Sequence, residues 1–157
     1  MDGNLVEPMR SERHTRPVWV ESGCFAMAGG RAVLADAGGA KLLGAPRPSG
    51  LLVFTRIHIG TVEVGVEQPA QAPAADPAAG DVVAEISVEV TEPEVARFGE
   101  ASGEAGPGLR YASTPGWHRL RCHASGQDYD DREGLEHSPE KYLIQAWPSD
   151  PSARAAG

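Results

Sequence analysis

Two segments near the C-terminal end of the chain alternate between apolar and polar residues, and this alternation constrains the fold more than any other feature. They are GWHRLRCHASGQ (116–127) and KYLIQAWP (141–148). A period of two residues is typical of a strand with one buried face, and two such strands joined by a polar loop predict an antiparallel pair. We place this pair at the centre of the fold. The residues that it contributes to the predicted core are Leu120, Cys122, Tyr142 and Ile144.

The same alternation recurs in the middle of the chain and indicates the fold class. TVEVGVE (61–67) and DVVAEISVEV (81–90) place apolar residues on one face and polar residues on the other. With 19 glycines and 13 prolines, turns are frequent, and no stretch has a helical period. About seven or eight short strands separated by turns predict an all-β protein, a single-domain antiparallel β-sandwich. Strands with one polar face argue against parallel pairing, because parallel strands are usually apolar on both faces.

Composition sets the expected boundaries of the domain. Residues 1–16 are polar and are expected to be poorly ordered, residues 17–148 form the β domain, and residues 149–157 form a tail. The Pro/Ala-rich stretch 68–80 is too dense in proline for a helix, and it predicts a surface loop within the domain. APRPSG (45–50) is predicted to be a loop for the same reason.

The charge balance limits the classes of partner. The formal net charge is -8, so the chain has no general attraction for phosphate backbones or anionic lipids, and neither nucleic acid nor membrane is expected as a partner. No apolar run approaches the roughly 20 residues that a membrane span requires, and the N-terminus lacks the layout of a signal peptide. We expect a cytoplasmic protein in which Cys24 and Cys122 stay reduced.

The sequence lacks the common catalytic and metal-binding patterns, and we predict neither an enzyme nor a cofactor. There is no G-x-S-x-G, no phosphate-binding P-loop and no G-x-G-x-x-G. His118 and Cys122 share one strand face but lie about 13 Å apart along the strand, which is too far to hold one zinc ion. We therefore expect Cys122 to pack in the core and the histidines to occupy surface or edge positions.

An acidic loop separates the two C-terminal strands. DYDDREGLEHSPE (128–140) is rich in carboxylates, including Glu140, but it lacks the ordered spacing of an EF-hand calcium loop. A solvated hairpin loop is the simplest interpretation. Its acids are also candidates for contact with a basic partner. The candidate partner-binding residues in this loop are Asp128, Asp130 and Asp131.

A second candidate surface is the polar face of the strand at 116–127. Its candidate partner-binding residues are Trp117, Arg119, Arg121 and His123. An exposed row of arginine and tryptophan is the composition that protein interfaces favour. It also suits single-stranded nucleic acid, although the net negative charge argues against that partner. The alternative is an ordinary solvated sheet face, on which arginines pair with acids of the neighbouring strand.

Four segments resemble a group of actinobacterial proteins of unknown function. They are RIHIGTVEVGVE (56–67), GDVVAEISVEV (80–90), GWHRLRCHASGQD (116–128) and EKYLIQAWP (140–148). The pattern of the group, GxYRVRVxARGRD followed by EYLIQxWP, is more distantly similar to competence J-type inhibitors of a DNA-entry nuclease, which implies an inhibitor. Here Ser125 and Gln127 replace two arginines of that pattern, so no ligand of those arginines is carried over.

These observations favour a non-catalytic protein-binding domain, specifically an immunity protein or an inhibitor of a nuclease or toxin. An acidic protein associates readily with a basic one, because complementary charge speeds association. Two other functions stay open. One is a structural or assembly subunit that forms a homo-oligomer through exposed β edges. The other is a small-molecule-binding protein or enzyme with a ligand in a cleft of the sandwich.

Overall fold

The chain forms β-strands throughout the part that the structure describes. A computed structural model describes residues 12–33, 43–47, 50–74, 81–100, 108–127 and 137–151. These ranges contain eleven strands, one 3-10 turn at Pro93–Val95 and no α-helix, so the all-β prediction is confirmed and the predicted number of strands was too low. The strands are β1 (Arg13–Val20), β2 (Cys24–Ala28), β3 (Gly30–Val33), β4 (Leu43–Arg47), β5 (Gly50–Phe54), β6 (Gly60–Glu67), β7 (Asp81–Val90), β8 (Arg97–Glu100), β9 (Leu109–Arg110), β10 (Gly116–Ser125) and β11 (His137–Pro148).

The strands are arranged in two sheets. Sheet A has six strands in the order β1-β6-β11-β10-β7-β3, and sheet B has five in the order β4-β5-β2-β8-β9. β10 and β11 are antiparallel neighbours in the middle of sheet A, as their alternation predicted, and Cys122 lies opposite Ile144. The described residues contain no helix with the length and hydropathy needed to cross a bilayer.

Sheet A is mixed, so the prediction of purely antiparallel pairing is wrong. β6 and β11 run parallel, and Glu63, Gly65 and Glu67 lie opposite Lys141, Leu143 and Gln145. The inner face of both strands is apolar. The outer face of β6 carries Thr61, Glu63 and Glu67, whereas that of β11 includes the buried side chains of Leu143 and Trp147. Apolar residues on both faces are typical of parallel strands, whereas the alternation in β6 does not indicate the direction of its neighbour.

Three predicted loop or terminal segments have different outcomes. Pro46 lies in β4, within a stretch predicted to be a loop, and β4 is an edge strand, the place in a sheet where proline costs no ladder bond. β1 begins at Arg13, so residues 13–16 form a strand although they were assigned to a poorly ordered terminus. In the Pro/Ala-rich stretch, residues 68–74 form no strand and residues 75–80 lie outside the described residues.

One apolar cluster contains buried side chains of both sheets, including the four core residues predicted from β10 and β11. Phe25 of β2 meets Tyr142 of β11 edge-on, with ring centroids 5.5 Å apart, and it meets Phe98 of β8 at 6.1 Å. Such edge-on aromatic pairs add to the stabilisation that comes from burial. A void of about 10 Å³ remains among Leu51, Phe98, Ile144 and their neighbours, which is no larger than the space needed by one water molecule.

Glu140 is fully buried, although it was predicted to belong to the solvated acidic loop. A bulge in β11 between His137 and Lys141 shifts the register against β6. Residues two and four positions apart share one face of a strand, so Glu140 has the same inward orientation as Tyr142 and Ile144.

The Glu140 carboxylate is satisfied by donors from two parts of the chain. It accepts the backbone N–H of Arg56 at 2.7 Å and that of Ile57 at 2.8 Å, in the connection between β5 of sheet B and β6 of sheet A. It also accepts the hydroxyls of Ser138 and Tyr142. This buried carboxylate therefore fixes the segment that links the two sheets to the central strand β11.

We predict that Glu140→Gln lowers the free energy of unfolding by about 2–3 kcal/mol, because the amide replaces one acceptor oxygen with a donor that faces other donors. Ser138→Ala is the matched control, and it is expected to cost about 1 kcal/mol because the other donors remain. Urea denaturation of both variants and the wild type measures the difference. Equal denaturation midpoints for Glu140→Gln and the wild type would contradict the assigned role.

Candidate functional site

The outer face of sheet A is made of rows of side chains that cross β10, β11, β6 and β1. The register between neighbouring strands defines three of these rows. The arginine row consists of Arg121, Gln145, Glu67 and Arg13. The glycine row consists of His123, Leu143, Gly65 and Thr15. The lysine row consists of Ser125, Lys141, Glu63 and Pro17.

The structure brings the four predicted residues of β10 together on this face but does not expose them as a row. Arg119 is 5% exposed and His123 is fully buried, while Trp117 and Arg121 are half-buried. The prediction of an exposed arginine and tryptophan row is therefore wrong for its central members. The segment that follows β6 contributes to this burial, because the carbonyl of Pro73 accepts a hydrogen bond from Arg121 at 2.9 Å.

Glu85 of β7 holds both arginines. Its two carboxylate oxygens accept Nε of Arg119 at 3.0 Å and Nε of Arg121 at 3.1 Å. Arg119 also donates to the hydroxyl of Ser87 at 2.9 Å, and the guanidinium of Arg121 lies 5.1 Å from the centre of the Trp147 ring. The alternative interpretation, in which arginines pair with cross-strand acids, is confirmed for this pair, although the face is buried rather than solvated.

A second chain of polar contacts runs from the buried centre of the sheet to its edge. His123 contacts the amide oxygen of Gln145 through Nε2 at 3.3 Å, and the amide nitrogen of Gln145 donates to Glu67 at 3.0 Å. Glu67 in turn accepts Nε of Arg13 at 2.8 Å. With Gln145 in this orientation, Nε2 of His123 is the donor. These contacts link Arg13 of the edge strand β1, through Glu67 and Gln145, to His123 of β10.

The absence of a side chain at Gly65 opens a hollow between the arginine row and the lysine row. It measures about 200 Å³ and is lined by side chains of Arg13, Thr15, Glu63, Ser125 and Lys141, among others. A second hollow of about 240 Å³ shares Thr15 and Glu63 with the first and continues past Pro17 and Thr61. The two hollows together form a groove along β1 and β6.

Charged and aromatic groups at this groove face solvent. Lys141 and Glu63 are exposed and lie opposite each other, yet within the described part of the chain neither side chain forms an ion pair or a hydrogen bond. Trp19 follows Pro17 along the outer face of β1, is 41% exposed, and donates its indole N–H to Glu21 at 2.9 Å. The groove thus offers a cation, a carboxylate, hydroxyls and an aromatic ring.

Sequence reasoning missed the residues that form the groove. Thr15 and Lys141 carry no pattern that distinguishes them from other surface residues. Gly65 does carry one, because a glycine inside the alternating strand TVEVGVE marks a place where side-chain volume is missing. The predicted contacts Asp128, Asp130 and Asp131 lie outside the described residues, so their role stays a prediction.

Both cysteines and two of the histidines, His118 and His123, are buried. Cys24 and Cys122 are free and buried, and desolvation by burial raises the pKa of the Cys122 thiol to about 12, so it is protonated at neutral pH. His118 is buried at the end of the core, with Nδ1 3.0 Å from the carbonyl of Gly116. The expectation that the histidines occupy surface positions is wrong for His118 and His123. In the described ranges, no three His, Cys, Asp or Glu side chains converge as metal ligands would.

Comparison with known proteins identifies no relative. No protein-family model, no curated protein and no solved structure matches the chain.

We predict that Glu85→Gln lowers the free energy of unfolding by about 2–3 kcal/mol, because two largely buried guanidinium groups lose their shared charge partner. Glu89→Gln on the same strand is the matched control, since Glu89 pairs with the exposed Arg31; an exposed ion pair contributes about 0–1 kcal/mol. Thermal and urea denaturation measure both changes. A loss in Glu85→Gln no larger than that in Glu89→Gln would contradict a structural role for the arginine pair.

We predict that the stability of the fold falls above pH 9. Burial raises the pKa of Cys122 from 9.0, and it raises the pKa of Tyr111 and of Tyr142 above 10.0, with the hydrogen bond to Glu140 raising that of Tyr142 further. The unfolded chain loses these protons first, so their contribution is fully present below pH 9 and is lost as pH rises toward the folded-state values. Urea denaturation between about pH 8 and pH 11 should show a decline that is shallower in Cys122→Ala, by about 1.4 kcal/mol per pH unit. An unchanged slope would contradict this assignment for Cys122.

Proposed function

We propose that this protein is a non-catalytic binding domain for a protein partner and that the groove along β1 and β6 is its contact surface. The observation that carries the proposal is the open groove of two joined hollows beside the exposed ring of Trp19. A tryptophan next to a pocket with charged groups at its rim is typical of the anchor region of a protein interface. Lys141 and Glu63 are the rim charges available to such a partner.

The rigidity of the surface also supports a binding role. We propose that sheets A and B pack face to face as one β-sandwich, which is consistent with the apolar cluster that contains side chains of both. The contacts from the buried His123 through Gln145 and Glu67 to the exposed Arg13 fix one wall of the groove before any partner arrives. A surface that is already ordered loses little conformational entropy on binding, and this favours affinity.

The biological role that fits this domain best is that of an immunity protein or an inhibitor of a nuclease or toxin in the cytoplasm. The net charge of -8 would speed its association with a basic protein. The resemblance to nuclease inhibitors described above points the same way. The acids at Asp128, Asp130 and Asp131 are proposed as an additional contact with such a partner.

Affinity purification of the tagged protein from its native cells, followed by mass spectrometry, tests the proposal. We expect one stoichiometric partner, and we expect Trp19→Ala to reduce its recovery about ten-fold, as loss of an interface anchor does. Val95→Ala is the matched control, because Val95 is 43% exposed, close to the 41% of Trp19, but lies in the 3-10 turn before β8. Equal loss in both variants, or no loss in Trp19→Ala, would contradict binding through the groove.

A small-molecule-binding protein is the second candidate, because the first hollow alone combines the cations of Arg13 and Lys141, the carboxylate of Glu63 and the hydroxyls of Thr15 and Ser125 within about 200 Å³. Such a convergence of polar groups is what small-ligand sites share. Purified protein that retains a small metabolite, identified by mass spectrometry after denaturation, together with no stoichiometric protein partner, would favour this function over the first.

A further inference from the structure

The floor of the first hollow is a place where a side chain could have been present but is not. Gly65 is buried within β6, and a Cβ built on it would meet the nearest atoms of Thr15, Leu143 and Arg13 at 3.4, 3.5 and 3.6 Å. These are ordinary packing distances, so steric conflict does not require glycine at this position. Valine or threonine would suit the strand better, and the glycine keeps the hollow open.

The groups around this floor suit an anion. Lys141 of the lysine row carries a charge that no described side chain pairs, and Arg13 is held on the other side by its bond to Glu67. The hydroxyls of Thr15 and Ser125 line the same hollow. A carboxylate above Gly65 would accept hydrogen bonds from these donors, and bonds between charged groups are the stronger ones.

Glu63 opposes the binding of a carboxylate in the hollow. It lies opposite Lys141 and faces the same hollow. The carboxylate of Glu63 competes with a bound carboxylate for the ammonium group of Lys141, and its negative charge repels any anion that enters the hollow. Removal of Glu63 should therefore strengthen carboxylate binding, whereas removal of Lys141 should weaken it. These opposite effects of two facing residues distinguish a carboxylate site from a merely polar surface.

The second hollow extends along β1 to Pro17 and Thr61, and the exposed Trp19, the register partner of Thr61, is the next residue on this face of β1. A free carboxylate would use only the hollow, but an extended segment of protein would also contact Pro17 and Trp19. Trp19 lies six positions after Arg13 on the strand, which corresponds to about 20 Å. That length suits a peptide segment rather than a small metabolite.

We infer that the Gly65 hollow recognises a carboxylate and that its source is an aspartate or glutamate side chain, presented by an extended segment of the partner that follows β1. The inference rests on the proposed function, since it names the chemistry that the partner brings to the groove. The partner is then a protein whose docking segment carries an acidic residue, whatever the charge of the rest of its surface.

Nuclear magnetic resonance titration of the 15N-labelled full chain tests this inference. The probes are an acetylated and amidated octapeptide that alternates glutamate and threonine, the same peptide with glutamine for glutamate, and sodium glutamate. We expect saturable shifts of the amides of Thr15, Gly65 and Lys141 with the glutamate peptide. Binding should be about ten-fold weaker with the glutamine peptide and weaker still with free glutamate.

Four variants locate the site, and a fifth, at Arg31, is the control. Gly65→Val should abolish the shifts without lowering the melting temperature, and Gly65→Ala should reduce binding in the same direction if the valine variant folds poorly. Lys141→Gln should weaken the affinity about five-fold or more, and Glu63→Gln should tighten it about three-fold, as expected for one charge at the rim of a site. Arg31→Gln removes the same charge on the opposite edge strand β3 and should leave the affinity unchanged.

Three outcomes would overturn the inference, and a fourth would support the carboxylate site but contradict the proposed function. Equal affinity for the glutamine and glutamate peptides would show that the hollow does not recognise a carboxylate. Equal affinity for free glutamate would assign the site to a small molecule. Recovery of the native partner by Gly65→Val at the wild-type level, with loss in Trp19→Ala, would leave the proposed function standing without an acidic side chain in the hollow. Specific binding of the glutamate peptide together with no cellular protein partner would support the carboxylate site while the proposed function failed.

Discussion

The parallel pairing of β6 with β11 is the constraint on which the outer face of sheet A depends. It brings Gly65 beside Leu143, so that a missing side chain becomes a hollow, and it places Glu67 within reach of Gln145. An antiparallel pairing of the same strands about Gly65 and Leu143 would place Glu67 opposite Lys141 and separate it from Gln145. The direction of one strand thus decides whether the polar residues form an ordered groove.

The two faces of sheet A have different physical roles. The inner face is apolar and packs in the core, where the burial of valine, isoleucine and aromatic side chains supplies most of the stability. The outer face is stabilised by charge and hydrogen bonds, because Glu85 satisfies two arginines and Glu67 connects Gln145 to Arg13. The open part of this face lies next to its buried part, so contacts that begin at the buried His123 and Gln145 support the groove.

The sequence allowed the two faces of each strand to be predicted. It did not allow prediction of the relative direction of neighbouring strands or of the burial of their outer faces. The alternation in β10 correctly separated Leu120 and Cys122 from Arg119 and Arg121, because period two is a local property of the chain. Burial of Arg119 depends on neighbours from distant strands, which no local pattern contains. Glu140 was missed because a carboxylate before the strand suggested a solvated loop, although the alternation of Tyr142 and Ile144 extended back by two residues places it on the inner face. Gly65 was the residue whose local signal could have revealed the groove.

Nuclear Overhauser contacts between β6 and β11 decide whether this face exists. In uniformly labelled protein, parallel pairing in the described register predicts backbone contacts of Glu63 with Lys141 and of Glu67 with Gln145. Contacts of Glu63 with Gln145 and of Glu67 with Lys141 would mean that the strands run antiparallel. The position of Lys141 opposite Glu63 at the Gly65 hollow, the contact of Glu67 with Gln145 and the binding surface proposed for this protein would then be wrong.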